Sequence, residues 1–139
     1  MTDAEPAQTY EQRVQAIQLA NQPILDGFEA WLRQSGLGEQ TIRDHVDNMR
    51  LFARYLLLYA YSLRRLDEAT EGAVYDFLED WFPRKALWAS VSSMKVYLAS
   101  FKKFYTWMGT TGLVSPETVE DVLSTLKDSR NLFLRRVAE

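Results

Sequence analysis

Residues 90–109 read SVSSMKVYLASFKKFYTWMG, and this stretch decides the fold class. Its apolar positions recur at the three- and four-residue spacing of one helix face. These positions are Val91, Met94, Leu98, Phe101, Tyr105 and Met108. Ser90 or Ser92 supplies a helix start, and Gly109 with Gly112 supplies its end. We therefore predict a helix that buries this face and exposes the opposite one, which consists of Lys95, Ala99, Lys102 and Thr106.

The same spacing recurs along the rest of the chain, and no segment shows the sustained alternation of a half-buried strand. Helix starts are predicted at Thr9, Asn21, Glu39, Thr70 and Ser115, and a last helix is predicted in the tail from Asp128. The first helix is expected to reach about Ala20, and Pro23 is expected to lie in the first turn of the second. Pro83 is expected to end the helix from Thr70, because the residue before a proline is pushed out of helical angles.

Length and composition bound the class of protein. The 139 residues correspond to about one domain, which is enough to bury a core. The absence of cysteine excludes disulfides and thiolate chemistry. Residues 1–9 lack a secretory signal, and the longest apolar run, residues 55–61, is too short to span a bilayer. We expect a soluble, cytoplasmic protein with no membrane contact.

Charge is unevenly distributed along the chain. The whole chain has sixteen Lys and Arg and nineteen Asp and Glu. Residues 84–114, however, contain five basic residues and no acidic one, and the basic residues are interleaved with aromatic rings. Residues 66–83 show the opposite bias, with six acids and no basic residue. A basic surface beside an acidic one fits contact with a polyanion, with a partner protein or between the two surfaces themselves, and charge counting alone does not choose among these.

Catalytic and metal-binding motifs are absent from the sequence. There is no Gly-rich phosphate loop, HExxH or GxSxG, and the single histidine, His45, is interpreted as a helix-packing residue. Two acidic pairs, Asp44 with Asp47 and Glu79 with Asp80, are interpreted as solvated faces and not as a cation site. The aromatic residues Tyr97, Phe104 and Trp107 are interpreted as core and not as base-stacking groups. We therefore predict no enzyme activity, no metal and no cofactor.

Several segments together carry a family resemblance. They are GLGEQTIR at 36–43, FARYL at 52–56, LDEAT at 66–70, SMKVYLASFKKFY at 93–105 and GLV at 112–114. The arrangement resembles the N-terminal SAM-like, core-binding domain of the tyrosine recombinases, the phage integrase family, over about residues 24–126. The most specific part is residues 101–105.

The resemblance implies a compact orthogonal bundle of four to five helices, here with an extra N-terminal helix and a C-terminal tail helix. The implied division is an appendage at 1–20, the core-binding domain at 21–127 and the tail at 128–139. In that family this domain clamps a DNA half-site, and the groove-facing helices correspond here to about residues 41–59 and 92–108. The family's catalytic residues, which serve DNA integration and recombination, reside in a separate domain. His45, with Asn48 in place of the required arginine, does not match them.

The resemblance and the charge pattern lead to a set of candidate contacts with double-stranded DNA. The phosphate-binding candidates are Arg43, Arg50, Arg54, Lys95, Lys102 and Lys103, and the hydrogen-bonding candidates are Gln40, Thr41, Asn48, Ser92 and Ser93. Asp47 is within salt-bridge reach of both Arg43 and Arg50 on the same helix face. Positions that are commonly basic in the family are Val96 and Tyr97 here, so we expect weak, salt-sensitive binding.

The alternative is a protein-interaction module that kept the fold and lost DNA binding. It would use the acidic helix at residues 71–80 and the apolar, basic tail at residues 132–137. The tail is expected to dock on the core of its own chain or on another chain, which includes self-association. The negative net charge of −3 favours this alternative.

Overall fold

The computed structural model describes residues 8–60 and 63–138. Its helices are α1 (Tyr10–Gln34), α2 (Glu39–Leu58), α3 (Glu71–Asp76), α4 (Phe82–Lys85), α5 (Val91–Thr110), α6 (Pro116–Asp128) and α7 (Arg130–Ala138). A 3-10 turn (Leu66–Glu68) precedes α3, and a π-helical turn (Phe77–Trp81) joins α3 to α4. The described residues contain no strand and pack around one core, which confirms the predicted all-α bundle.

The first helix is longer than predicted. Thr9 and Gln12 form the expected capping box, but α1 then continues through Ala20 to Gln34. The predicted helix start at Asn21 is wrong because its side chain does not cap a helix: Asn21 Oδ1 instead accepts a hydrogen bond of 2.9 Å from the backbone N–H of Leu66. Pro23 lies inside α1, where it removes one backbone donor. α1 therefore crosses the predicted boundary at residue 20.

The predicted helix end at Pro83 is also wrong. The π-helical turn places the N–H of Phe82 on the carbonyl of Phe77, five residues back, and α4 continues through Pro83 to Lys85. In a π-helical turn each backbone N–H donates to the carbonyl five residues back instead of four. The helix therefore continues without the hydrogen bond that Pro83, which has no N–H, would otherwise donate. Thr70 precedes α3 as expected, although its side chain makes no capping hydrogen bond.

Aromatic side chains form the centre of the core. Phe77 packs edge-to-face on Phe52 and Phe101, with ring centroids 5.5 and 5.8 Å apart, and Phe52 and Phe101 are 4.8 Å from each other. The hydroxyl of Tyr105, fully buried, donates to the carbonyl of Ala69 at 2.7 Å. Tyr97, Phe104 and Trp107 are each at most 7% exposed, which confirms their interpretation as core residues.

Helix α5 is central to the bundle and contacts α1, α2, α6 and α7. It begins after the Ser90 cap as predicted and runs through Gly109, where a Cβ atom would lie 2.5 Å from Val119 Cγ2 of α6. Gly109 therefore permits close helix packing and does not end the helix; the turn that follows contains Gly112, with a φ of 78°. Val91, expected on the buried face of this helix, is exposed.

The C-terminal tail docks on its own chain. Phe133 of α7 is fully buried, and the Arg136 guanidinium donates to Glu79 Oε1 in the π-helical turn at 2.6 Å. The rings of Phe133 and Tyr75 are 5.6 Å apart. From the sequence, the tail is expected to dock on the core of its own chain or on another chain, and in the structure it docks on its own chain. Tyr61, Ser62 and Glu139, which the predictions also covered, lie outside the described residues.

Candidate nucleic-acid interface

The predicted phosphate contacts lie on two helices. Arg43, Arg50 and Arg54 are exposed on α2, and Lys95 and Lys102 are exposed on α5. The remaining candidate, Lys103, is half-buried on α5. Its charge lowers the pKa of the buried His45 on α2.

Acidic neighbours accompany the arginines of α2. Arg50 forms an ion pair of 3.1 Å with Asp47, whereas the structure records no such pair between Asp47 and Arg43 in the described part of the chain. Arg54 has no recorded ion pair with any described residue. Since exposed pairs of this kind are weak, Arg50 stays available to a phosphate at a small cost.

The predicted hydrogen-bonding candidates divide into two groups. Gln40 donates to Asp44, Asn48 donates to Ser100, and Ser93 takes part in the capping box of α5 with Ser90. These three side chains are engaged within the chain. Thr41 and Ser92 are exposed, and within residues 8–60 and 63–138 neither side chain has a recorded hydrogen bond.

A basic groove, which we define by its lining residues, lies beside α5. It has a volume of about 600 Å³ and is lined by Lys95, Leu98, Ala99, Lys102, Leu123, Leu126, Lys127 and Arg130. No carboxylate is among these lining residues, although the chain as a whole is acidic. Sequence reasoning missed Lys127 and Arg130. Lys127 follows Leu123 by four residues on the predicted helix from Ser115, and this spacing would have placed it beside the inner stripe. Arg130 lies on the next helix, and its position depends on how α7 packs.

A second concave surface, the tryptophan cavity, lies between α2 and the loop at residues 86–90. It has a volume of about 410 Å³ and is lined by Asp47, Asn48, Arg50, Leu51, Arg54, Trp88 and Tyr97. Trp88 is 57% exposed, and the preceding Leu87 is 99% exposed. Burial raises the pKa of the Tyr97 hydroxyl well above its usual range, with a smaller contribution from Asp47, so this group stays protonated.

A third cavity, of about 570 Å³, lies between α1 and α2. Val14 and Gln18 of α1 line one side, and Ala53 and Leu57 of α2 line the other. Its remaining lining residues are Asn21, Gln22, Leu25, Arg50, Arg54 and Leu58. Arg50 and Arg54 therefore reach two neighbouring cavities on either side of α2.

A buried polar network connects α2 to α5. Ser100 Oγ donates to the carbonyl of Val96 at 2.9 Å and accepts from Asn48 Nδ2 at 3.0 Å. His45 Nδ1 lies 2.6 Å from the same oxygen, so Nδ1 carries the proton that completes the network. Burial lowers the pKa of His45, the charge of Lys103 lowers it further, and Asp44 opposes both. Ser100 is fully buried, which makes this a packing network out of reach of a substrate.

The acidic residues expected to be solvated are in part engaged. Glu79 pairs with Arg136, and Asp80 makes two hydrogen bonds of 2.9 Å to Arg84. Within residues 8–60 and 63–138, no group of three His, Asp or Glu residues is arranged to hold a metal ion. In the same part of the chain, no helix has the length and apolar character needed to cross a bilayer.

Comparison with known proteins returned no relative: no protein-family model, curated protein or solved structure matches this chain. The likeness to the core-binding domain of the integrases therefore depends on the sequence segments quoted above and stays a prediction.

Proposed function

We propose that this chain binds duplex DNA through its phosphates, does not itself cut the DNA, and uses the basic groove as its main contact surface. One observation carries this proposal: four cationic side chains line the groove and no carboxylate does. Lys95 and Lys102 come from α5, Lys127 from α6, and Arg130 from α7. These three helices pack on one another, so the backbone positions of the four cations are held in one arrangement.

The physical basis is counterion release. Each DNA phosphate neutralised by a lysine or arginine lowers the slope of log K against log salt by about 0.9. Four such contacts correspond to a slope of about −3.6, and nonspecific proteins of this kind bind with dissociation constants of roughly 10⁻⁴ to 10⁻⁶ M at physiological salt. The apolar floor, which includes Leu98 and Leu126, makes no base-specific hydrogen bond. We therefore propose binding without strong sequence preference.

The exposed arginines of α2 form a second proposed contact. Arg43 and Arg54 are available to phosphates, and Arg50 becomes available when it exchanges its exposed partner Asp47 for a phosphate. The resemblance to integrase domains favours this helix as a DNA-facing element. Its acidic residues make it the weaker of the two surfaces.

A salt series of fluorescence anisotropy titrations with a labelled random-sequence duplex tests the proposal. We expect wild-type binding to weaken as salt rises. In the double variant Lys95→Gln, Lys102→Gln, we expect the magnitude of the slope to fall by about two units, because two phosphate contacts are lost. Both side chains are exposed, so this variant keeps the fold.

The matched control is Arg13→Gln, which removes an exposed cation of α1 that does not line the groove. We expect it to keep the wild-type slope. Equal slopes for wild type and the double variant would show that the groove is not the contact surface. Absence of wild-type binding at low salt would overturn the proposal as a whole.

The alternative proposal is a protein-interaction module, and exposed apolar side chains favour it. Leu19 is 75% exposed on α1, and Leu58 and Tyr59 are 52% and 54% exposed at the end of α2. The acidic and tail surfaces first assigned to this role partly contact each other through Glu79 and Arg136. Light scattering that compares the molar mass of the wild type with that of the double variant Leu19→Ser, Leu58→Ser tests this alternative. Loss of self-association in the variant would locate the interface at these two side chains.

A further inference from the structure

We infer that the tryptophan cavity binds an unpaired nucleotide of single-stranded DNA, with the base stacked on Trp88 and the phosphate held by Arg54. This inference extends the proposed function and rests on it. It assigns a surface separate from the basic groove, on the α2 side of the bundle, where Arg54 also belongs to the second proposed duplex contact. The ligand differs, because the basic groove does not select unpaired bases.

The first support is the exposure of Trp88. The rings of Phe28, Phe52, Phe77 and Phe101 are fully buried, whereas Trp88 is 57% exposed and follows Leu87, which is 99% exposed. Single exposed apolar residues are ordinary, but here an indole lies at the rim of a cavity with charged walls. Proteins that bind single strands combine positively charged grooves with aromatic side chains on which bases stack.

The second support is the way the loop is held. The N–H of Ala89 donates to the carbonyl of Ala86 at 3.1 Å, and Ser93 Oγ donates to the carbonyl of Trp88 at 3.1 Å. The indole also meets the buried ring of Phe82 edge-on, with centroids 6.3 Å apart. Trp88 is therefore exposed on an ordered backbone, so stacking a base on it costs little additional ordering.

The third support is charge placed beside the ring. Arg50 and Arg54 line the same cavity, and among the described residues Arg54 has no recorded ion pair. An aromatic face beside guanidinium groups matches a nucleotide, which joins a flat base to an anionic phosphate. The volume of about 410 Å³ lies within the range of small-ligand sites.

The stacking geometry selects unpaired bases. Inside a duplex both faces of each base are covered by neighbouring base pairs, so a side chain on a rigid loop reaches a face only where the strand is single. Asp47 is the opposing charge in the cavity, and its pairing with Arg50 leaves Arg54 as the main phosphate ligand. Neutralising Asp47 should therefore strengthen binding.

The experiment uses the full chain and a labelled oligothymidylate in anisotropy titrations, with the labelled duplex measured in parallel. We expect Trp88→Ala to weaken oligothymidylate binding about tenfold, Trp88→Phe to retain most of it, and duplex binding to be unchanged in both. Arg54→Gln should weaken and Asp47→Asn should strengthen oligothymidylate binding. Arg13→Gln is the matched control and should have no effect.

A second readout is tryptophan fluorescence. Unlabelled oligothymidylate should quench the wild-type emission, and the quenching should be lost in Trp88→Ala, whose fold is checked by circular dichroism. The remaining tryptophans, Trp31, Trp81 and Trp107, are less exposed than Trp88 and outside this cavity. The quenching signal therefore reports on Trp88 itself.

The outcomes separate this inference from the proposed function. If the wild type binds duplex but not oligothymidylate, or if Trp88→Ala binds oligothymidylate as tightly as wild type, the inference is overturned and duplex binding stands. Binding to neither nucleic acid overturns both. If Trp88→Ala changes only self-association in light scattering, the cavity serves a second copy of this chain, and the nucleotide assignment is wrong.

Discussion

His45 Nδ1 lies 2.6 Å from Ser100 Oγ, and this contact joins α2 to α5 in the buried interface between them. Asn48 donates to the same hydroxyl, so the two residues of α2 converge on one residue of α5. This polar contact adds to the packing of Phe52 on Phe101 between the two helices that carry the candidate DNA contacts. Because His45 is buried in this interface, the stability of the bundle is linked to its protonation.

We predict that the bundle loses stability as the pH falls from about 7.5 to 5.5. Burial, with the charge of Lys103, lowers the pKa of His45 in the folded state, whereas in the unfolded state it returns to about 6.5. Below that pH the unfolded chain binds more protons than the folded one, so the free energy of unfolding decreases. Urea unfolding at both pH values measures the effect.

The control for this prediction is His45→Asn, whose side-chain amide keeps a donor near Ser100 without titrating. We expect this variant to be equally stable at the two pH values. Carboxylates with lowered pKa values, such as Asp80, titrate below this window and do not contribute. An equal loss in the variant and in the wild type would assign the pH dependence to another group.

The close approach of α1 to α5 requires a glycine. A Cβ atom at Gly27 would lie 2.8 Å from Trp107 Cζ2, and Trp107 is buried, so its ring has little room to move. Gly27→Ala is expected to destabilise the protein by about 1–3 kcal/mol through overpacking, despite its better helix propensity. Gly72→Ala is the control, because a Cβ atom placed at Gly72 would have nothing within 4 Å. This variant should not destabilise the protein. Thermal unfolding compares the two variants.

Phe77 is expected to be among the most costly residues to truncate. Its ring contacts Phe52, Phe101 and Trp81, and it is fully buried. Phe77→Ala should cost about 3–5 kcal/mol of unfolding free energy in urea titrations, because it leaves a cavity in the core. Leu87→Ala removes a side chain that is 99% exposed, and its effect should stay within about 0.5 kcal/mol. Similar losses in both variants would contradict the core assignment.

The docking of α7 is expected to depend on packing more than on charge. Phe133 is fully buried, so Phe133→Ala should cost about 3–5 kcal/mol. The side chain of Arg136 is 50% exposed in its pair with Glu79, so Arg136→Gln should cost only about 0–1 kcal/mol. Urea unfolding of both variants measures the two losses of unfolding free energy. A larger loss in Arg136→Gln would show that the ion pair holds the tail.

The sequence predicted the helices and most of the core because these follow from local periodicity. The stripe of Met94, Leu98, Phe101 and Tyr105 is buried as expected, and the Ser90 and Ser115 caps are formed. The errors at Asn21 and Pro83 have different physical origins. The side chain of Asn21 accepts a hydrogen bond from Leu66, distant in sequence, and caps no helix, whereas at Pro83 a π-helical turn lets the helix continue.

The candidate site was predictable in part. Exposed cations such as Arg54 and Lys102 follow from helix spacing, and both are exposed in the structure. The grouping of Lys95 and Lys102 with Lys127 and Arg130 was not predictable, because it depends on how α6 and α7 pack on α5. The sequence also contains no signal for the exposure of Trp88, since the neighbouring aromatic residues in the same segment are core.

The two halves of α1 differ in burial. In its described part no residue before Asn21 is buried, whereas Phe28 and Leu32 are fully buried. Pro23 has no amide hydrogen, so one helix bond is missing near the junction of the two halves. We therefore expect the N-terminal half of α1 to open at a lower free energy than its C-terminal half, and its amides to exchange with solvent sooner. The cavity wall at Val14 and Gln18 is then expected to move more than the opposite wall at Ala53 and Leu57.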